Sequence, residues 1–528
     1  MDLEKLPDDA RLSKQDITSL IDLVEQKYQE KIHYLEERIR LLQNELFGRK
    51  SEKRHFEDHL QLPLFQSSPT DTDEPPLAET IVVAEHNRVK RGRKPLPKDL
   101  PRVEIIHDIT EEEKVCPCGA TLSRIGEDIC EKLDYVPAKI RVEKHVRYKY
   151  ACKSCEGVED DGPTVKIAPA PVALIPKSNA TEGLVAHIAV SKFADGLPLY
   201  RQEKIFSRIG IDLPRATMAN WLIHAARCCS PVVELLQNEI CSGPLINMDE
   251  SPLQVLKEPG RANTTKSYMW VFCGGQAEHP TVLYQYHPTR SGEEALQFLD
   301  DYRGFIQSDD YNGYDYLGNK KGIIHLGCWS HARRKFVDVV KVRKKHRGNH
   351  ASPKTLADQA LEYIGELYRI EKQIRQDQLT VEQIYQRRQE QSKPVLNQFK
   401  QWLDATEPLT PPKGLLGKAI SYTLKNWKKL IVYITDGRLK PDNNVAENAI
   451  RPYVVGRKNY LFAGHPNGAN AGATFYSLIE TAKANGLEPF AYLRYLFKQL
   501  PLVKDQTGYR HLLPQYVDPK NINRSAND

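Results

Sequence analysis

The chain has 528 residues, of which 40% are hydrophobic and 27% charged, and a net charge of +6. That length calls for several domains, the larger of them able to bury ordinary cores. Ten cysteines are too few for a disulfide scaffold, no apolar run approaches the ~18 residues that cross a bilayer, and the polar start MDLEKLPDDARL does not read as a signal peptide, so a cytoplasmic protein with no membrane partner is expected.

Ser13 is placed to cap a first helix, with Asp16 three residues on. Tyr28, Ile32, Leu35, Ile39, Leu42 and Leu46 follow alternating steps of four and three, an a/d seam that Ile21 extends backwards and Gly48 ends. Residues 1–52 are therefore expected to be a coiled-coil arm that builds a homodimer or a larger oligomer; the plain alternative is one helix lying on the protein's own body. Residues 53–102 form a polar, proline-bearing linker whose end turns basic, HNRVKRGRKPLPKDLPR. Around Arg88, the run Arg91-Gly92-Arg93-Lys94-Pro95 resembles an AT-hook, whose arginines enter a narrow minor groove. As a plain basic hinge it would touch phosphates only, and either way it adds salt-dependent affinity for double-stranded DNA.

Residues 103–165 carry Cys116-Pro117-Cys118 and Cys152-Lys153-Ser154-Cys155, with the alternating stretch IRVEKHVRYKYAC leading into the second pair. Four thiolates from two turns make a closed structural Zn²⁺ site, so the segment reads as a zinc-ribbon-like module, with Cys130 as a substitute ligand for the short first knuckle. Residues 166–240 read as mostly helical. PLYRQEKIFSRIGIDLPRATMANWLIHAA gives a helix, a turn near Gly210 and Pro214, and a second helix with Arg215, Thr217 and Asn220. That is helix-turn-helix-like, and its second helix would meet the major groove; a generic helical pair is the alternative, and Trp221 reads as core.

From Gly243 the pattern changes to strands: PLINMDESPLQVL, KSYMWVFCGG and TVLYQYH, then a helix GEEALQFLDDY, a strand GFIQSDD, and IIHLGCW leading into a helix. This order is that of an RNase H-like α/β core, spanning 241–335 and 441–500 around a charged helical insertion at 336–440 that could also be a plain helical hairpin. In such a core carboxylates on the first and fourth strands lie side by side, here Asp249 and Asp309, with the adjacent Glu250 and Asp310 as alternatives. In PDNNVAENAIRP, Asp442 reads as an N-cap and Pro452 as the stop. Asn443, Asn444, Glu447 and Arg451 then share a face, so Glu447 would project toward the two aspartates rather than form a plain surface pair with Arg451. Three scattered carboxylates suit two Mg²⁺ ions, or Mn²⁺, of the kind that activate one oxygen and stabilise another in phosphodiester chemistry. Arg333, Arg334, Arg451, Arg457 and Lys458 read as phosphate clamps. Cys328-x-x-His331, lacking a second pair, reads as packing plus a phosphate or base contact by His331. Residues 501–528 read as a tail, polar at its end.

The blocks FGRKSEK, RGRKPLPKDLPR, LPLYRQEKIFSRIG, CWSHARRKF, PDNNVAENAIRPYVVGRKNYLFAG and YSLIETAKANGLEP resemble the transposases of the insertion-sequence sixty-six family, over nearly the whole chain and in the family's order. The resemblance implies a DDE triad at Asp249, Asp309 and Glu447, Mg²⁺-dependent cleavage at the element's ends, and strand transfer into target DNA. It also implies small accessory proteins of the same element as partners. The chain departs from the family pattern in its CxC knuckle, in Asp310 where glycine is commoner, and in Asn448 where arginine is usual. Two other readings are a DNA-binding protein with an inactive core and a structure-directed nuclease. When bound to DNA the protein is expected at the nucleoid.

Overall fold

The computed structural model describes residues 140–151, 165–291, 297–309, 314, 320–344 and 355–522, together with six positions between 25 and 39. Cys116, Cys118, Cys152, Cys155, Arg88, Arg91, Arg93, Lys94 and Asp310 lie outside the described residues. The chain divides into two units, Ser51–Ala170 and the remainder. In the smaller, strand β1 (Lys149–Ala151) pairs antiparallel with β2 (Val165–Ile167), so the alternating stretch ends in a short ladder.

In the larger unit the six early positions are helical, and the a/d residues Tyr28, Ile32, Leu35 and Ile39 are all at least 48% exposed. Four helices follow: α1 (Glu182–Phe193), α2 (Leu199–Arg208), α3 (Arg215–Cys228) and α4 (Ser230–Ile240). Thr181 caps α1 by accepting from the Leu184 N–H. Gly210, at φ +83°, makes the turn between α2 and α3, a conformation that side chains with a Cβ resist. Trp221 is buried, as are Cys229 and Cys273, while Cys228 and Cys241 are half-buried.

Strands β3 (Leu245–Gln254), β4 (Lys266–Gly274), β5 (Thr281–His287), β6 (Gly304–Gln307) and β7 (Ile323–Leu326) form one mixed sheet in the order β5-β4-β3-β6-β7. The first three run antiparallel to their neighbours, whereas β6 is parallel to β3 and β7 parallel to β6. Only a fragment of the helix expected over GEEALQFLDDY is described, a single 3₁₀ turn at Gln297–Leu299. After β7 come α5 (Trp329–Lys344), α6 (Leu356–Gln376), α7 (Val381–Arg387), α8 (Lys393–Thr406), α9 (Leu415–Lys425) and α10 (Trp427–Leu430). The insertion is thus a helical bundle rather than a hairpin, with its own core of Trp329, Phe336, Ile364, Phe399, Leu403 and Ile420.

Inside that bundle Arg388 and Glu371 are both buried. The Arg388 Nε and Nη2 donate to the two Glu371 oxygens at 2.8 Å each, and its remaining hydrogens reach the carbonyls of Tyr433, Asp436 and Leu439 at 2.9 Å. A buried guanidinium is tolerated because every donor is used.

The last helices are α11 (Asn444–Tyr460), α12 (Pro466–Ala484), α13 (Pro489–Gln499) and α14 (Gln506–Arg510). Pro452 does not stop α11 but lies within it. The lost N–H bond and ring crowding are offset by the buried Ile450, Tyr453 and Gly456 that flank it. Helix α12 covers the edge strand: Thr481 Oγ1 accepts from Val282 N at 3.0 Å and Ser477 Oγ from Tyr284 N at 2.7 Å. Two hydroxyls thereby close backbone groups that an open edge would offer to another chain. The segment after 500 is not a free tail as far as residue 522. Leu512, Leu513, Val517 and Ile522 are buried in the same core as α4 and the sheet despite the segment's polar composition, while Leu502 stays exposed.

Candidate functional site

Strands β3 and β6 align Ile246 with Ile306 and Asn247 with Gln307. Side chains alternate along a strand, so Asp249 falls on the face of Asn247, while Asp309 follows Gln307 by two residues, just past the end of β6, and acts on Asp249 electrostatically. The Asn247 Nδ2 donates to Gln307 Oε1 at 2.9 Å, which fixes that face. The start of α11 is tied to the same place. Asn443 donates from Nδ2 to the Met248 carbonyl at 2.8 Å and accepts from Asn247 Nδ2 at 3.0 Å. Gln307 Nε2 in turn donates to the carbonyls of Gly327 and Lys440. All three amides are buried, where an unpaired amide is costly, so each bond holds a segment in register. Glu447 follows one turn into α11, its N–H bonded to the Asn443 carbonyl.

Asp442 does not cap α11, whose N-cap is Asn443 without a side-chain bond. Its Oδ1 instead accepts from Ser330 N at 2.8 Å and Tyr368 Oη–H at 2.6 Å, closing the first turn of α5. The returning chain brings this carboxylate to the α5 N-terminus, where exposed N–H groups favour negative charge.

Burial first, then the neighbouring Glu250, pushes the Asp249 carboxyl up to about 7; the Glu250 N–H on Oδ1 opposes this, and Asp309 and Glu447 add to the rise. Glu250 is likewise pushed up to about 7, by burial and then Asp309, against the pull of Arg290. Asp309 acts on both acids, but their other company differs: Glu250 accepts from Arg290 Nε at 2.7 Å and from the Tyr314 hydroxyl, whereas Glu447 acts on Asp249. The fold keeps both protons up to about pH 7 while an unfolded chain releases them near about pH 4. The unfolded state therefore binds fewer protons across that window, and stability falls as pH rises through it. Thermal denaturation of chelator-treated protein should give a lower midpoint at about pH 8 than at about pH 5, with Mg²⁺ restoring it at the higher pH. A midpoint that climbs with pH would contradict this.

A cavity of about 410 Å³ opens beside Asp309, lined also by His331, Arg334, Arg290, Lys335 and Tyr422. Tyr422 comes from α9 of the insertion, and the Lys335 Nζ lies 4.3 Å from its ring centroid. Of the expected cations, Arg333, Arg334, Arg451 and Lys458 are exposed. Arg457 is half-buried and turned to the sheet, its Nη1 donating to Ser251 Oγ at 3.2 Å. Arg215 and Asn220 are exposed on α3 and Thr217 half-buried; none of the three lines this cavity.

Among the described residues, the one set of three or more His, Cys, Asp or Glu whose ligand atoms lie within 4.8 Å of one another is Cys328, His331 and Glu447. Asp309 and Glu447 both act electrostatically on Asp249, but the three carboxylates are not drawn that tightly together. Burial holds His331 below its ordinary value, against the pull of Glu447 and with the help of Arg334. Reading the sequence overlooked the amides. Their signal is visible in retrospect: a polar residue two places before each aspartate, Asn247 in LINMD and Gln307 in FIQSD, inside otherwise apolar strands.

Comparison with known proteins follows the same order along the chain. The family described as "Transposase IS66 family" matches residues 177–471, and "zinc-finger binding domain of transposase IS66" matches 113–156, which spans all four paired cysteines. "Transposase C of IS166 homeodomain", the leucine-zipper region, matches 34–105, and "IS66 C-terminal element" matches 477–515. The uncharacterized protein y4jD of Sinorhizobium fredii is 37% identical over 411 residues, covering 75% of this chain and 76% of its own. A second uncharacterized protein of that organism, y4qI, is 31% identical over 513 residues, covering 94% and 92% respectively.

Proposed function

The chain belongs to the IS66 family of transposases, and on that premise we propose that it cleaves DNA at the ends of its insertion sequence and joins those ends to target DNA, with Asp249, Asp309 and Glu447 holding two Mg²⁺ or Mn²⁺ ions. The observation that carries this reading is the amide lock: Asn443 ties the helix of Glu447 to the strand of Asp249, and Asn247 with Gln307 ties that strand to the one preceding Asp309. The core is RNase H-like on this reading, supported by three antiparallel strands followed by two parallel ones on the far side of the first.

The residues present fit such ions. All three donors are carboxylates, the hard oxygen ligands magnesium takes, and the Glu447 Oε1 is buried without a hydrogen-bond partner. Bound divalent ions would supply activation of the attacking oxygen and stabilisation of the leaving one. The chain's own part is to place the DNA. Arg290, Arg334 and Lys335 face the cavity beside Asp309 and would grip phosphate oxygens of the reacting strand. Arg333, Arg451 and Lys458 would extend that grip, while Arg457 braces β3 through Ser251. Arg215, Thr217 and Asn220 on α3 would read a major groove, and Arg88, Arg91, Arg93 and Lys94 a minor groove. Cys116, Cys118, Cys152 and Cys155 would hold structural zinc, and the exposed a/d residues of the first helix would pair two copies across the synapse.

The test is a strand-transfer assay with labelled element-end DNA, a target duplex and Mg²⁺ or Mn²⁺. Joined product that requires the divalent ion supports the proposal. End binding without cutting would mark a DNA-binding protein with an inactive core, and cutting without joining a nuclease.

A further inference from the structure

We propose that Cys328, His331 and Glu447 form a second cation site, one that takes Zn²⁺ or another thiophilic divalent ion rather than magnesium. Their ligand atoms lie within 4.8 Å of one another. Tetrahedral zinc, with bonds of about 2.0–2.3 Å, holds neighbouring ligand atoms roughly 3.5 Å apart, so closing the set takes shifts of about an ångström. The sequence alone offered only Cys-x-x-His; the third ligand arrives from a helix more than a hundred residues later.

The facing of two unpaired buried atoms points at a cation. His331 Nδ1 and Glu447 Oε1 face each other at 3.8 Å, beyond hydrogen-bond reach, and both are buried atoms with no hydrogen-bond partner. Buried polar atoms are almost always paired, and an ion between these two would satisfy both. Burial and then Asp442 hold Cys328 as the thiol in the metal-free fold, against the N–H groups of Asn443, 3.3 Å from Sγ, and of His331, so the sulfur gives up its proton only as the ion binds. Cys328 also directly precedes the first turn of α5, where backbone N–H groups favour a negative sulfur. One thiolate and one imidazole select zinc over magnesium, and three protein ligands leave a fourth position open. Binding releases the thiol proton to solvent, so it is pH-dependent.

The site shares Glu447 with the proposed triad, and His331 also lines the cavity assigned to DNA, but its test needs no DNA. Zinc per chain is counted after gel filtration of the full-length protein, for the parent and for Cys328→Ser and His331→Gln, with circular dichroism melts reporting on folding. Each variant is expected to lose one equivalent of zinc while still melting cooperatively. Cadmium NMR of the parent should show, besides any tetrathiolate signal from the paired cysteines, a signal of a one-sulfur site that Cys328→Ser abolishes. Equal zinc content in the parent and both folded variants would overturn the proposal, as would loss in one variant and full retention in the other. Should Cys328→Ser fail to fold, the half-exposed His331→Gln decides alone.

Discussion

Asp249→Asn is expected to bind element-end DNA as the parent does and to lose end cleavage by about a thousandfold or more. The substitution keeps shape and removes one of the three anionic donors proposed to hold the ions. Losing ion-borne transition-state stabilisation of about 4 kcal/mol corresponds to about a thousandfold in rate. Binding is spared because the DNA grip is assigned to cations, not to this carboxylate, which does not line the cavity. Gel-shift titration and a single-turnover cleavage assay separate the two effects. The parallel variant Glu250→Gln provides the contrast: its loss should be smaller, and it should act through the released Arg290 and Tyr314. Cleavage at parental rate in Asp249→Asn would remove this residue from the proposed triad.

The second large effect is on stability. Arg388→Met should destabilise the insertion bundle by about 3–5 kcal/mol, the cost of stranding one member of a buried ion pair. The side chains of similar length leave little cavity, so the loss is electrostatic: a Glu371 carboxylate buried without its partner, and the carbonyls of Tyr433, Asp436 and Leu439 without their donors. The double variant Glu371→Leu/Arg388→Met should recover a large part of this, since replacing a whole buried pair by apolar groups is often neutral. Urea titration followed by tryptophan fluorescence reports on it directly, because Trp329 and Trp402 lie in or against this core. A single variant as stable as the parent would show that the pair is dispensable.

Much of the core was legible in the sequence. The alternation in LINMDESPLQVL and KSYMWVFCGG announces strands, and an aspartate in or just after an apolar strand stands out against its surroundings. Helical spacing alone places Glu447 near the start of a helix, and it lies in the first turn of α11. What was not legible depends on contacts made across the fold. Nothing local distinguishes Asp442, a good capping residue for its own helix, from an acid that closes the helix beginning at Trp329. Pro452 follows a general rule that packing overrides, because Ile450 and Tyr453 are worth more to the helix than one missing bond. The helical character of 336–440 was legible, but whether it made a bundle or a plain hairpin was not, because charged helices hide their apolar stripe, and Arg388 and Glu371 are two of many charges until they are seen buried. The Cys328, His331 and Glu447 set joins a local motif to a distant helix, which spacing along the chain cannot register.

Gln307 has one more implication. The two hydrogens of its side-chain amide reach Gly327, just before the long helical excursion leaves the sheet, and Lys440, just after it comes back. Departure and return are thus stapled at a single point, so a stretch of over a hundred residues behaves as a cassette hung from a fixed hook. The cassette is not inert toward what lies beneath it, since its Tyr422 lines the cavity beside Asp309 and its Tyr368 holds Asp442, so a change in its packing would be felt at that end of the sheet.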